Sequence, residues 1–506
     1  MITSDIPRRN ARRYPDKAAV IFEDTRYTFK ELNDRVNSMA NALVDMGLKK
    51  GDRIILIADS CNQYLDMLWV AAKAGLAISS LNPQIPRQQL SQLINSSGAR
   101  AIIMGENYRD LVESLRPELE QVKNYIVIGA SDGGMKSYQE LVSSYPSSEP
   151  EVEIDGEDLL FLSSSGGTTG LPKQIMHTHH SLLGMMMDLA WVYDTRHEDI
   201  FLFAVPPFWA HLVAYVMMPS SYLGCTIVIV KEITASAVLR VIEQKRVTTT
   251  FLATPLLSQL VEVQQTNKYD CSSLRRVIVG GTPLPAEIWK QAIKTFGNIF
   301  GQLYGLSEMS PICFLPPEEF VLEGPKVKRL RSCGREALNI EARVVNDLGE
   351  DVRPGEIGEI IAKGESLMKG YLNAPRLTGE TIKGGYLYTG DLGTLDEDGY
   401  FYLAGRKKDA IVTQGKLLSS SEIEDIIYRH PAVLEAAVIG VSDEELGEAV
   451  KAIIVLKEGR KITGEEIIHL CEQNLPPYAV PRSVDFVDSL PKSPIGKTLK
   501  YALREK

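Results

Sequence analysis

Residues 163–173 read Ser-Ser-Ser-Gly-Gly-Thr-Thr-Gly-Leu-Pro-Lys, directly after the apolar run Leu159–Leu162. Small residues let backbone N–H groups come close to an anion. The hydroxyls add donors, and Lys173 adds a point charge suited to phosphate. The chemistry is that of a loop that grips a polyphosphate, entered from a buried strand. It is not the Walker A pattern, because Gly166 is too far from Lys173 and no Ser or Thr follows the lysine. Taken alone, the stretch also reads as a solvated turn.

Four further clusters lie downstream in order: Tyr304-Gly305-Leu306-Ser307-Glu308, Tyr388-Thr389-Gly390-Asp391, Gly405-Arg406-Lys407-Lys408-Asp409 and Pro491-Lys492-Ser493-Pro494-Ile495-Gly496-Lys497. With the loop, this ordered set resembles the adenylate-forming superfamily of acyl-CoA synthetases, peptide-synthetase adenylation domains and beetle luciferases, in its acyl- or aryl-CoA ligase branch. The resemblance runs from Pro15-Asp16-Lys17 to Lys497.

The resemblance implies ATP-dependent ligation of a carboxylic acid to CoA through an acyl-adenylate, with ATP, Mg²⁺ and CoA as co-substrate. A separate carrier protein as acceptor, or a catalytically silent nucleotide-binding relative, are the alternatives. Residue by residue, it makes Lys497, Thr168 and Glu308 catalytic, with Glu308 also the Mg²⁺ ligand. It places the nucleotide and CoA among Ser165, Gly166, Gly167, Thr169, Gly170, Lys173, Gly280, Gly281, Thr282, Gln302, Leu303, Tyr304, Gly305, Leu306, Ser307, Asp391, Arg406, Gln414 and Gly415. Trp209, His211, Gly281 and Thr282 would line the acid pocket, and Lys408 would be a hinge. The chemistry is consistent with this. A carboxylate and ATP are both anions, so catalysis rests on positioning and charge neutralisation. Mg²⁺ takes hard oxygen ligands and often one carboxylate with phosphates and waters. Asp391 suits acceptance from two ribose hydroxyls.

Departures from the family pattern are local. Gly166 stands where Ser is usual, Gln174 for Gly, Ser307 for Thr, Val412 for a phosphate-touching Lys and Ser420 for Pro. They bear on individual phosphate and CoA contacts. The wall segment Val205-Pro206-Pro207-Phe208-Trp209-Ala210-His211 lies in a stretch, Ile200–Val230, that contains no carboxylate. Burying a substrate ammonium there without one would be costly. This disfavours an amino acid and leaves an apolar acyl or aryl acid, with Trp209 placed to shorten the pocket.

The bulk properties set the elements that must position these residues. At 506 residues the chain exceeds a single core, and we expect two domains: 1–407 for ATP and acid, and a mobile 408–506. The expected fold is α/β: a large N-terminal domain of α/β subdomains with a small β-barrel-like subdomain, and an α+β C-terminal domain. Thr28 and Glu31 form a capping-box signature. Residues 53–58, 101–104 and 125–128 read as strands, and 61–74 as a helix, a parallel α/β rhythm.

A net charge of −10 disfavours nucleic acid as partner. Six scattered cysteines without a Cys-x-x-Cys pair read as reduced thiols of a cytoplasmic protein, and the N-terminus has no apolar signal region. Ile200–Val230 is long enough to span a bilayer, yet Pro206, Pro207, Pro219 and Gly224 divide it into strand, loop, short helix and strand. No transmembrane segment is expected, and a homo-oligomer is allowed. Arg8, Arg9, Arg12 and Arg13 read as a solvated helix face, a membrane-surface role being the alternative. The run His177-Thr178-His179-His180 reads as structural histidines at a strand–helix junction, with no Cys or acidic partner for a metal.

Overall fold

The structure is a computed structural model, and it describes residues 2–164, 172–281, 284, 286–413, 416–443, 445–492 and 498–504. Two large sheets carry the first part of the chain. The eight-stranded sheet runs, edge to edge, Gly370–Tyr371, Gln174–Thr178, Leu159–Ser164, Ala77–Ser80, Arg53–Ile57, Ala99–Gly105, Asn124–Ile128 and Lys136–Ser137. From Leu159–Ser164 outward its strands are parallel. They are also nearly continuous apolar runs, as strands covered on both faces must be. Ile54, Ile55, Leu56 and Ile57 are all fully buried.

The nine-stranded sheet has the order Arg335–Glu336, Met309–Leu315, Phe300–Leu306, Arg276–Gly280, Thr249–Ala253, Ile200–Phe203, Thr226–Ile229, Ala18–Phe22 and Thr25–Thr28. Its middle is parallel as well.

Both sheets use one device that the sequence, which has no internal repeat, does not announce. Each parallel stack ends in an antiparallel hairpin. In the first, Leu159–Ser164 pairs with Gln174–Thr178, and the phosphate-loop sequence joins them. In the second, Phe300–Leu306 pairs with Met309–Leu315, and Ser307-Glu308 forms the turn. The Ser307-Glu308 turn and the end of the strand Leu159–Ser164 therefore lie at the carboxyl ends of parallel strands, where open α/β sheets bind ligands.

The expected elements form with small shifts. The Thr28–Glu31 capping box is complete and opens the helix Phe29–Asp45. The expected helix over 61–74 begins at Gln63. The helix at the histidine junction begins within the run, as His179–Val192, because Thr178 caps it and shares a reciprocal capping box with Ser181. Pro219 is not at a boundary: it lies inside the helix Ala210–Tyr222, in its last turn.

Around 340–406 the chain forms a five-stranded antiparallel sheet, Ile340–Val345, Gly358–Gly364, Tyr386–Leu395 and Ile382–Lys383 in order, with Phe401–Arg406 also on Tyr386–Leu395. After Lys408 a further sheet of Ile411–Thr413, Lys416–Leu418, Val433–Asp443, Gly447–Leu456 and Ser483–Phe486 packs with helices Ser420–Ile427 and Gly464–Glu472. It has its own apolar core, including Ile423, Val438, Ile454 and Ile467. No described helix is long and apolar enough to cross a membrane.

Candidate active site

The segment 365–371 ties the two hairpin turns together. Gly370–Tyr371 adds to the edge of the first sheet, with Gly370 opposite Met176 and Tyr371 opposite Ile175. Just before it, the Met368 N–H donates to the Glu308 carbonyl in the turn of the second sheet, at 2.8 Å. The Tyr371 hydroxyl then donates to Glu308 Oε1 at 2.8 Å. Burial, then the Glu308 charge, push the Tyr371 phenol up, so it stays protonated and able to donate. The Lys173 ammonium, from the end of the phosphate-loop sequence, lies 5.1 Å from the centre of the Tyr371 ring, within cation–π range. One tyrosine thus joins the two sequence motifs.

His177 makes a second tie. Its Nε2 meets the Ser307 carbonyl at 2.8 Å across the two hairpins. Burial lowers its pKa to about 4, so the ring is neutral and Nε2–H donates.

A second group lies on the antiparallel sheet. Tyr304 donates from its hydroxyl to Asp391 Oδ2 at 2.8 Å. Arg406 Nε pairs with Asp391 Oδ1 at 2.7 Å, since Asp391 and Arg406 face each other across paired strands. A carboxylate oxygen can accept from more than one donor. Asp391 is held in place from below: its N–H donates to Thr389 Oγ1, which donates to the Ile360 carbonyl at 2.6 Å. Tyr304 and Tyr371 belong to one buried cluster, which relates the two groups. Glu308, Tyr304, Asp391, Arg406 and Lys173 are brought together.

Gly305 is required by packing. A Cβ there would lie 2.4 Å from Ser310 Oγ, across the irregular register between Tyr304 and Leu306. Gly280 ends its strand tightly, with Leu303 O and the Phe251 ring 3.1 and 3.2 Å from an added Cβ. Gly281 differs: its φ is +101° and an added Cβ would meet nothing within 4 Å, so it borders open space. Gln302 pairs with Leu315 across the hairpin, and its buried Oε1 has no partner among the described residues. Leu303 is buried, and the Leu306 carbonyl accepts from Tyr215 at 2.8 Å.

Trp209 precedes the helix Ala210–Tyr222 and packs on the main core, and its indole N–H is buried without a partner among the described residues. His211 stacks edge-on to Tyr215 at 5.5 Å. Burial first, then His177, lower the His211 pKa to about 4, so this ring is neutral too. Lys408 is exposed within the short 3-10 turn Lys407–Asp409, and its carbonyl accepts from Arg504 at 3.4 Å.

Ser165, Gly166, Gly167, Thr168, Thr169, Gly170, Thr282, Gln414, Gly415 and Lys497 lie outside the described residues.

Two departures from the family pattern have structural uses. Gln174 Nε2 donates to the Leu93 carbonyl at 3.3 Å. Ser420 Oγ accepts from Lys500 at 2.7 Å, a bond proline could not make. Val412 is exposed. The histidines of the run engage separate protein groups. His179 Nδ1 meets Thr3 Oγ1, and His180 pairs with Glu365. Tyr371 and Tyr215 were not singled out from the sequence. The pair Gly370-Tyr371 beside an edge was the available signal for the first, and nothing local marks the second.

A lone carboxylate anchored on one oxygen fits Mg²⁺, which completes its shell from phosphates and water. Among the described residues no group of three His, Cys, Asp or Glu could hold a metal by itself. The cysteines are all free, and burial pushes the Cys61 and Cys333 thiols up to about 12, toward the protonated form.

Comparison with known proteins decides the family. The AMP-binding enzyme model matches residues 7–372, and the model of the AMP-binding enzyme C-terminal domain matches 422–497. The chain belongs to the AMP-binding enzyme family. This AMP-binding enzyme is 31% identical over 501 residues to a feruloyl-CoA synthase of an Amycolatopsis species, covering 99% of this chain and 98% of that protein. It is 30% identical over 486 residues to the long-chain-fatty-acid–CoA ligase FadD13 of Mycobacterium tuberculosis, covering 95% and 93%. Among solved structures it superposes on the amide bond synthetase McbA from Marinactinospora thermotolerans with a TM-score of 0.89 at 26% identity, over 99% of each chain. The protein is an adenylate-forming acid–thiol ligase of the acyl-CoA synthetase type, a class that uses ATP and CoA.

Proposed function

We propose that this AMP-binding enzyme activates an apolar acyl or aryl carboxylic acid as its adenylate, with release of pyrophosphate, and then transfers the acyl group to CoA. The observation that carries the reading is the Lys173–Tyr371–Glu308 array, joined through the buried cluster of Tyr371 and Tyr304 to the Tyr304–Asp391–Arg406 group.

In this reading Lys173 and the loop 165–170 receive the β- and γ-phosphates, and Thr168 donates to them. Glu308, oriented by Tyr371, holds Mg²⁺, which when bound neutralises phosphate charge. Asp391 accepts from the ribose hydroxyls while Arg406 and Tyr304 keep its oxygens fixed. The backbone of Gly280, Gly281 and Thr282, and of 302–307, borders the adenine and the acid. Lys497 reaches the attacking carboxylate and the α-phosphate. The domains are 1–407 and 408–506, with the hinge at Lys408, and Gln414 and Gly415 face CoA.

The acid is apolar in this reading because the wall segment 200–230 carries no carboxylate. A substrate ammonium would find no counter-charge there. Six free thiols suit a cytoplasmic setting.

Pyrophosphate release measured over a panel of aliphatic and aryl acids, with and without CoA, tests this. The expected result is acid-dependent release for a subset of the panel and thioester only when CoA is present. No release with any acid would sink the reading. One structural neighbour is named an amide bond synthetase, so amines belong in the panel as acceptors. Amide formed in preference to thioester would replace CoA as acceptor and leave adenylation standing.

A further inference from the structure

The ligation chemistry leaves unused a cationic cleft at the opposite end of the helix Ala210–Tyr222. Its N-terminal end carries Trp209 and His211. Its C-terminal end, about 18 Å along the axis at 1.5 Å per residue, abuts the helix Asp5–Arg13. A cavity of about 620 Å³ opens there, lined in part by Arg9, Arg13, Arg196, His197, Tyr14 and Tyr222.

Its walls are fixed. Arg9 donates to the Tyr222 carbonyl, and its guanidinium carbon lies 5.1 Å over the Tyr222 ring. Asn10 donates to the Ser221 carbonyl at 2.5 Å. Tyr14 stacks on His197 at 5.9 Å with the rings 10° apart.

The charges do not balance. Arg196 pairs with Asp194 at 3.0 Å, but that carboxylate is shared with Arg275. Glu198, the one acidic lining residue, meets His197 at 3.2 Å. Asp5 is engaged by Arg8 at 2.6 Å. Arg12 and Arg13 have no ion pair or hydrogen bond among the described residues. Burial first, and then the neighbouring Arg13 charge, push the Arg9 guanidinium down. Arg9 and Arg13 thus present like charges to the cleft from one helix, in a chain whose net charge is −10.

We propose that this cleft binds a phosphate-bearing anion, taken by Arg13 and Arg196 with Arg9 as the fixed cationic wall. Guanidinium groups match phosphate oxygens in paired, charge-assisted hydrogen bonds. The volume is that of a site for a small organic ligand rather than a bare ion. Tyr14, Tyr222 and Leu223 supply surface for the rest of the molecule. The phosphate belongs to a soluble ester or to an anionic lipid headgroup. The site is independent of the ligation reading.

The test uses the full chain with its nucleotide site filled by a non-hydrolysable ATP analogue and Mg²⁺. Tripolyphosphate binding is measured by calorimetry. Cosedimentation is measured with phosphatidylcholine vesicles with and without phosphatidic acid. The variant is Arg13→Ala/Arg196→Ala, and Arg240→Ala/Arg353→Ala controls for the loss of two charges elsewhere.

The expected result is salt-sensitive binding that falls about tenfold or more in the first variant and holds in the control, with pyrophosphate release unchanged in both. Loss of tripolyphosphate binding assigns a soluble ester. Loss of vesicle binding alone assigns a headgroup. Binding of neither probe, or equal binding by both double variants, overturns the proposal.

Discussion

Glu308 is held twice, by the Met368 N–H on its carbonyl and by the Tyr371 hydroxyl on its carboxylate. The two contacts have different consequences. Replacing the carboxylate removes the proposed Mg²⁺ ligand outright, so Glu308→Gln should lower acid-dependent pyrophosphate release by about a hundredfold or more without shifting the melting temperature. Near-normal rates at saturating Mg²⁺ would remove Glu308 from this role. Tyr371→Phe deletes only a donor and keeps the ring under Lys173. A hydrogen bond to a charged group contributes about 1.5–3 kcal/mol. The rate at limiting Mg²⁺ should therefore fall about tenfold or more and partly recover as Mg²⁺ is raised. A loss insensitive to Mg²⁺ would mean that the hydroxyl does not act through Glu308.

At the scale of elements, the helix His179–Val192 begins under a buried histidine. Burial, the largest influence, lowers the His179 pKa from 6.5 to about 4. The unfolded chain therefore binds a proton between those values that the folded chain does not. This contribution is complete above pH 6.5 and is lost as pH falls through about 4. It amounts to about 3 kcal/mol at most. Urea midpoints measured from pH 7 to 4.5 should fall, and His179→Gln should flatten the fall. Parallel curves for the two proteins would exclude His179 as a source.

The next helix, Ala210–Tyr222, is preceded by Trp209, whose indole packs on the core. Trp209→Ala should shift preference toward longer or bulkier acids. It should also destabilise the fold, by less than the roughly 3–5 kcal/mol typical of a fully buried aromatic because Trp209 is half-buried, so rates are compared per folded molecule. An unchanged rank order over an acid series would take Trp209 out of the pocket wall.

Across the whole molecule, adenylation and thioester formation are proposed to use different placements of the C-terminal domain about Lys408. Lys497→Ala should nearly abolish acyl-adenylate formation. Given synthetic acyl-adenylate and CoA, the same variant should still make thioester. Lys408→Pro should do the reverse, because fixing φ hinders rotation at a hinge. Each half-reaction is followed by its own product. Equal loss of both in folded Lys497→Ala would argue against alternating placements.

The sequence by itself determined what depends on near neighbours. Thr28 and Glu31 form their capping box because an N-cap and N3 are three residues apart in any such helix. Buried parallel strands such as 53–57 are legible as apolar runs, and the ordered motifs mark the family. Pro219 misled because a proline reads as a boundary, whereas packing holds it within the last turn of a helix. Only the tertiary structure decided which motifs meet. Tyr371 reaches Glu308 across 63 residues, and Tyr304 reaches Asp391 across 87. These pairs depend on strand register at two sheet edges and on the segment that bridges them. Periodicity encodes which face of an element is buried, but it carries no record of which distant element that face will meet.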